Sequence, residues 1–365
     1  MLSDSAPDFD IAIVGAGMAG ASLAAALVGR GAGRVVMLEA EAQAGYHATG
    51  RSAAFWQETY GGPGVQPLTT ASGPELERLG FLGARGALTM ARQEELPALE
   101  AFRARFAALG VAMEPVARAA MAALVPALRA PWVAGVMERD CRDIDVAGLH
   151  QHYLALARKG GADLWCRARL QSARHDGPWH LALEDGRSLT ARVLVNAAGA
   201  WADAVAQMAG AQPLGITPLR RTMVQARVVP AVDPAMPLVM DLGESFYFKP
   251  EAGRLWLTPH DETPSPPCDA APEEIDVAVA IDRLEQVVDW QVERVEHTWA
   301  GLRSFAPDRL PVYGWDGAVE GLFWCAGQGG FGIQTAPAAS AMAARLLLGL
   351  EPDGIDPAPY APDRF

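Results

Sequence analysis

The sequence predicts an α/β chain. A doubly wound, dinucleotide-binding unit is assembled from separated pieces, with a second domain of sheet and helix inserted between them. Three observations carry this expectation. A glycine turn, Gly15 to Gly20, joins a short apolar run to an alanine-rich segment. Apolar runs that end in small-residue turns recur at 192–201 and 322–332. Between them lie stretches of another character, helical from 74 to 129 and rich in aromatic and branched residues from 213 to 260.

The opening run Ile11 to Val14 reads as a buried strand, and Met18 to Val28 as a helix. Gly15 allows the tight turn between them, Gly17 lets a pyrophosphate approach the backbone, and Gly20 lets the helix pack on the strand. Met18 and Ala19 open the helix, whose free N–H groups attract phosphates. A second strand, Arg34 to Leu38, ends in Glu39 and Ala40. Glu39 follows Gly20 by 19 residues, close to the ~20 expected of a carboxylate that binds a ribose hydroxyl.

With 365 residues, half of them hydrophobic, the chain suggests about two domains. A net charge of −13 and a sequence pI near 5.0 argue against a nucleic-acid or anionic-membrane surface. The four cysteines, Cys141, Cys166, Cys268 and Cys325, form no CxxC pair. They read as buried or free thiols in a reducing compartment, not as a disulfide frame or zinc site, and no metal is expected. No basic residue precedes the first apolar run, so no signal peptide is expected and a cytoplasmic location is. Ile11–Gly29 and Leu322–Ala344 are uncharged and long enough to suggest membrane spans. Glycines interrupt both, and Pro337 the second, so each reads as strand, turn and helix.

The remaining elements follow in order. Gly45 to Trp56 is too glycine-rich and polar for a strand, and Ser52 to Ala54 reads as a helix start facing a second phosphate position. Gly61 to Gly64 reads as a lid hinge. Pro74 to Arg129 is mostly helical. Val146 to Lys159 is a helix ended by Gly160-Gly161. Asp163–Leu170, Trp179–Leu183 and Leu189–Leu194 read as strands, and Trp201–Met208 as a helix. Arg221–Val229, Ser245–Phe248 and Gly253–His260 are β-like, Ile275–Trp290 is an amphipathic helix, and Glu296–Phe305 leads back. Leu322–Ala326 is a last buried strand, followed by the Gly327–Gly332 turn and a helix over 336–350. The expected dinucleotide unit therefore spans 8–70, 141–214 and 304–361, and the substrate unit 71–140 and 215–303.

Several motifs occur in the order found in D-amino-acid oxidase-like FAD oxidoreductases, over nearly the whole chain. They are the opening fingerprint, Gly50-Arg51-Ser52-Ala53-Ala54, Val195 to Trp201, His297 to Arg303, Pro307-Asp308 with Pro311, and Gly327 to Gln334. Within that family the chain most resembles bacterial D-arginine dehydrogenase-like D-amino-acid dehydrogenases, through Gly45-Tyr46-His47-x-Thr49-Gly50-Arg51, Ser245-Phe246-Tyr247 and Gln328 to Thr335. The resemblance implies a glutathione-reductase-like Rossmann domain holding non-covalent FAD, and an inserted antiparallel-sheet substrate domain. It also implies oxidation of a D-amino acid by hydride transfer from Cα to flavin N5, giving an imino acid that hydrolyses to the 2-oxo acid and ammonia. The fingerprint alone also allows NAD, but the two further turns fit FAD better.

The resemblance implies site residues too. Besides the fingerprint residues, Thr49, Arg51, Ser52, Ala53, Ala54, Leu170, Ala198, Gly199, Trp201, Gly301, Gly330, Gly332, Ile333, Gln334 and Thr335 match cofactor positions. The last four start the helix whose positive end faces the flavin. Arg303, in Trp-Ala-Gly-Leu-Arg, matches the guanidinium that holds the substrate carboxylate, a task suited to its planar fork. Arg221, Tyr247 and the lid residue Tyr60 match substrate-lining positions, with Arg220 as a surface neighbour. Gly330 matches a carbonyl that accepts from the substrate amine, and Gln334 stands beside it. No obvious base is named: His47, His150, His152 and His297 read as structural or exposed, and water as the acceptor.

Two departures bear on the substrate. Phe55 stands where the arginine-specific relatives carry a histidine, and Gly86-Ala87-Leu88 where they carry a glutamate. A buried cation without its partner is costly, so the expected substrates are apolar or aromatic D-amino acids, with Phe55, Trp56 and Leu88 forming the pocket. The alternatives are glycine, sarcosine, another secondary amine or a 2-hydroxy acid on the same fold, and a flavoprotein that binds FAD without a substrate. The electron acceptor, whether oxygen, a quinone or another, leaves no mark in the sequence.

Overall fold

The computed structural model describes residues 6–53 and 55–365. Its first sheet has eight strands, with a parallel core of five. The order is Leu322–Ala326, Ser188–Asn196, Phe9–Val14, Val35–Leu38 and Asp163–Trp165, each parallel to the next. Both faces are covered, as a parallel sheet requires. The helices Met18–Val28, Val146–Lys159, Gln66–Leu79 and Ala336–Leu347 contribute to the core on one side, with Ile13, Leu23, Leu27 and Phe323 fully buried. The helix Ala202–Met208 and the antiparallel strands Leu170–His175 and Trp179–Leu183 cover the other, around Trp179 and Trp324. The five strands end together, at Val14, Leu38, Asn196, Trp165 and Ala326, and the glycine and small-residue turns leave from that edge. The two uncharged stretches thus form strand, turn and helix, and no described helix is long and apolar enough to cross a membrane.

The second sheet has ten strands. Its spine is the antiparallel pair Thr217–Val229 and Gln291–Phe305. Arg254–Thr258, Tyr247–Glu251, Leu238–Asp241, Ala87–Arg92, Trp132–Glu138 and Glu114–Ala117 continue it. Here the sequence reading is corrected. The region 74–129 is not mostly helical: two strands of this sheet, Ala87–Arg92 and Glu114–Ala117, lie among the helices Leu96–Ala107 and Arg118–Leu124. Their alanines and short lengths hide the alternation that marks a strand. Ser52 to Ala54 was expected to start a helix. Ala54 lies outside the described residues; Ser52 and Ala53 belong to no helix, the helical turn falling instead at Ala48–Arg51, and a short strand is formed by Phe55–Trp56.

Alternation along the second sheet sorts its side chains. Val224, Leu257 and Phe248 pair on the face that packs under the helix Glu274–Val287. Leu219, Met223, Tyr247, Met240, Leu238 and Ala87 occupy the other face. That face looks toward the strand ends of the first sheet. Leu88 joins Met137 and Val239 on the helix-covered face, and Trp56 packs in the first-sheet core. Neither borders the two cavities described below, contrary to expectation, whereas Phe55 borders the smaller.

Candidate active site

A cleft of about 390 Å³ opens at the carboxyl ends of the parallel strands, where open α/β sheets bind their ligands. Gly15, Gly17, Met18 and Ala19 line one part of it, with Glu39 and Ala40 beside them. Gly15 has φ +101, and a Cβ there would strike the Ala197 carbonyl, so only glycine permits the turn. The first helix starts without a side-chain cap and without an acid in its first turn, which leaves its positive end to an anion. The Glu39 carboxylate accepts from the Ala16 and Glu41 backbone N–H groups at 3.1 and 3.0 Å, so it is held at the cleft wall with lone pairs to spare. Thr49, Leu170, Ala198, Gly199 and Trp201 line the middle, and Ser52, Gly301, Gly330, Gly332 and Ile333 the far end. These residues fit a dinucleotide: a phosphate-ready helix start at one end, a ribose-ready acid, and a wall of small residues for a flat ring.

Other expected cofactor residues stand elsewhere. Gly20 does not line the cleft: a Cβ there would collide with the Gly15 carbonyl, so it serves helix–strand packing alone. Arg51 lines the cleft, but its guanidinium is committed to the Ala270 and Ala300 carbonyls and to Asp269, so it ties down the segment around 269. Thr335 is buried and donates to the Phe331 carbonyl at 2.9 Å, which closes the turn before the last helix. Ala53 lines a smaller neighbouring cavity. Ala54 lies outside the described residues. Gln334 borders the smaller cavity too, but its amide donates to the Tyr60 carbonyl at 3.1 Å and to Thr69 at 2.9 Å. It anchors the Tyr60 segment rather than offering a free group.

Arg303 stands where the cleft meets that smaller cavity, about 10 Å³ lined also by Phe55, Tyr60 and Tyr247. Strand register explains how the arginines come together. Leu219 pairs with Arg303 and Arg221 with Gly301, so Arg221 and Arg303 are diagonal neighbours on one face. Tyr247 is on the same face, two strands along. Arg303 donates to the Tyr60 hydroxyl at 2.6 Å and lies 3.5 Å from that of Tyr247. A Cβ on Gly330 would come within 3.0 Å of Arg303 Nη1 and 3.3 Å of Tyr60 Oη, so the backbone there must approach closely. Arg220, expected at the surface, points the opposite way and is only 11% exposed, held by Asp276 at 3.0 Å and by Glu273.

A buried guanidinium, Arg221, beside a half-buried one, Arg303, is an electrostatic liability without an anion. Arg221 donates to the Asp261 carbonyl at 2.8 Å and to Glu262 at 3.1 Å. Its Nη1 is buried with no partner. Burial, then the nearby Arg303 charge, lower its pKa. Burial works against the Arg303 charge as well, but the two tyrosine oxygens outweigh it and raise its pKa. An unsatisfied donor beside a second guanidinium suits a carboxylate.

Two groups escaped the sequence reading. His260 lies just past the Arg254–Thr258 strand, its Nε2 3.3 Å from Tyr60 Oη. Alternation from Thr258, which pairs with Tyr247, could have placed it on the site face. Glu138 is buried at the end of Trp132–Glu138, where its carboxylate accepts from the Glu58 N–H at 2.6 Å and the Thr59 hydroxyl at 2.7 Å. Both donors belong to the segment that carries Tyr60. Burial raises the Glu138 pKa to about 7. With its folded pKa above the unfolded value, Glu138 stabilises the fold fully at pH below about 4.5, and that contribution is lost as pH rises through about 7. Denaturant titrations across that window should show a loss of ~3 kcal/mol in the parent that is missing from Glu138→Gln.

The fold and cleft define a dinucleotide-dependent oxidoreductase, and comparison with known proteins gives its family. The family model of the FAD-dependent oxidoreductases called DAO matches residues 10–346. The chain belongs to this family, and its cofactor is FAD. Glycine oxidase of Pseudomonas aeruginosa is 32% identical over 170 residues, covering 46% of this chain and 44% of the relative. Hydrogen cyanide synthase subunit HcnC of the same organism is 25% identical over 215 residues, 58% of this chain and 50% of the relative. The matches thus span about half the length of these curated relatives. In structure, glycine oxidase from Geobacillus kaustophilus superposes with a TM-score of 0.85 at 24% identity, covering 99% of this chain and 100% of the other. L-proline dehydrogenase from P. horikoshii gives 0.86 at 20% identity, covering 99% and 98%. The relatives named here are glycine oxidases, an L-proline dehydrogenase and a hydrogen cyanide synthase subunit, and the narrower likeness to D-arginine dehydrogenase is not carried by them.

Proposed function

We propose that this protein oxidises the Cα–N bond of a small, uncharged α-amino acid, glycine foremost, to the imine. The observation that carries the reading is the Arg221–Arg303 pair with its unpartnered Nη1, set beside a cavity of only about 10 Å³, close to the minimum for one water. The arginines fix a carboxylate by charge-assisted hydrogen bonds. The Tyr60 and Tyr247 hydroxyls hold Arg303 in place, and Gly330 brings backbone close to where the amino group would lie. FAD, when bound, supplies the hydride acceptor at N5. The chain's part is registration, since a small misplacement of the Cα hydrogen costs a large factor in rate. Glycine-oxidising relatives support the substrate size.

A second reading, D-amino acids with apolar or aromatic side chains, is favoured by the Phe55, Tyr60 and Tyr247 walls and requires the Tyr60 segment to move. In either reading a cationic side chain finds no partner: the Glu138 carboxylate near Ala87 is taken up by Glu58 and Thr59. The test is a panel of glycine, sarcosine, L-proline, D-alanine, D-phenylalanine and D-arginine with a dye acceptor and with oxygen. We expect kcat/KM to be highest for glycine or D-alanine and at least about 100-fold lower for D-arginine, the ~3 kcal/mol of an uncompensated buried charge. A D-arginine preference would overturn the reading.

A further inference from the structure

We propose that His260 takes up, through the Tyr60 hydroxyl, the proton that the substrate's ammonium group must lose before its Cα–H bond breaks. This rests on the amino-acid reading above. The geometry forms a chain. Arg303 Nη1 donates to Tyr60 Oη at 2.6 Å, so the Tyr60 hydrogen is free to point elsewhere. His260 Nε2 stands 3.3 Å away and is an acceptor in the neutral imidazole with its proton on Nδ1. The Tyr60 and His260 rings meet edge to face at 6.2 Å, and the Tyr247 and His260 rings at 5.8 Å. On its other side Tyr60 Oη looks onto Gly330, where the amine lies. Tyr60 Oη therefore has one lone pair for Arg303, one for the ammonium N–H, and one hydrogen for His260.

The backbone at this residue is strained as well. His260 has φ +51, a left-handed conformation that is costly for a residue with a Cβ and that gathers at functional sites. Glu244 and Arg309, which face it, have φ +52 and +68. His260 feels the guanidiniums of Arg221, Arg303 and Arg309 and the Glu244 backbone; Asp261 and Glu262, next in the chain, hold Arg221, and the Tyr60 and Tyr247 rings pack against the imidazole. Burial, then the three guanidiniums, hold its pKa well below the usual value, so it rests neutral. A substrate carboxylate on Arg221 and Arg303 offsets part of that positive field, so the base gains strength when substrate arrives. In the transfer the ammonium N–H breaks and a bond to Tyr60 Oη forms, while the Tyr60 hydrogen passes to Nε2. The products are a neutral amine, an intact phenol and an imidazolium; no electrons move. His260 acts through Tyr60 and does not touch the substrate.

The experiment compares FAD-loaded wild type, His260→Asn, Tyr60→Phe and the double variant. Asparagine tolerates the left-handed backbone, which protects the fold. Two quantities are read: the rate of anaerobic flavin bleaching at saturating glycine against pH, and the Kd of acetate against pH from the flavin spectrum. We expect His260→Asn to bleach roughly 10²-fold more slowly near neutral pH and to recover as alkali deprotonates the amine in solution. Tyr60→Phe should lose as much, and the double variant no more. Acetate should bind wild type more tightly as pH falls, and His260→Asn without that dependence. A variant with the wild-type bleaching profile, or losses that multiply in the double variant, would overturn the relay alone. Wild type that binds acetate but is bleached by no amino acid would overturn the substrate reading and the relay with it.

Discussion

Replacing Arg303 with leucine is expected to lower kcat/KM for the proposed amino-acid substrate by about 10³-fold, the ~4 kcal/mol typical when one member of a desolvated charge pair is removed, while FAD stays bound. The guanidinium lies where the cleft meets the small cavity, 2.6 Å from one tyrosine hydroxyl and 3.5 Å from another. Its removal takes away both a charge and the fork that orients the carboxylate. Arg303→Lys keeps the charge and loses the fork, so it recovers only part of the rate. Arg221→Leu is the less clean probe. Its Nε and Nη2 hold the Asp261 carbonyl and Glu262, so the variant also loosens the wall of the site and lowers stability. Rapid-mixing measurements of flavin bleaching, with acetate binding in parallel, separate these effects. Acetate should bind Arg303→Leu far more weakly than wild type.

Gly20→Val abolishes accumulation of the flavin-loaded protein. The new side chain would collide with the Gly15 carbonyl, which is backbone and cannot rotate away. Strand and helix must then separate at the first turn of the cleft, an overpacking cost of at least ~3 kcal/mol. Gly17→Ala makes the informative contrast. There a Cβ meets only the Thr49 hydroxyl, at 3.2 Å. That variant folds, with Tm near wild type, but its methyl stands where phosphate must approach, so FAD dissociates at lower denaturant or higher temperature. Flavin absorbance after gel filtration, with a thermal melt, reads both outcomes.

The first half of the cofactor cleft was legible because its constraints are local. A turn that only glycine can make and an acid a fixed distance beyond it leave a pattern in adjacent residues. The parallel strands were legible as apolar runs, since a strand covered on both faces needs no alternation. The strands Ala87–Arg92 and Glu114–Ala117 were not, because whether their alanines form helix or strand is decided by partners about 20 to 150 residues away in sequence. That Arg221 and Arg303 share a place was expected only through resemblance: nothing near either in sequence says that strand register makes them diagonal neighbours. His260 and Glu138 were missed for the same reason. A histidine after a strand and a glutamate at a strand end are ordinary until the sheet places them against the Tyr60 segment. Gln334 and Arg51 were expected near the cofactor, but which hydrogen bonds occupy them is a tertiary fact.

The most direct test of the account is an anaerobic titration of the FAD-loaded protein with glycine and D-alanine, followed in the flavin absorbance band. The account predicts bleaching by at least one of them, blocked by excess acetate and lost in Arg303→Leu. Full bleaching by dithionite with none from any α-amino acid, or bleaching that survives unchanged in Arg303→Leu, would contradict it.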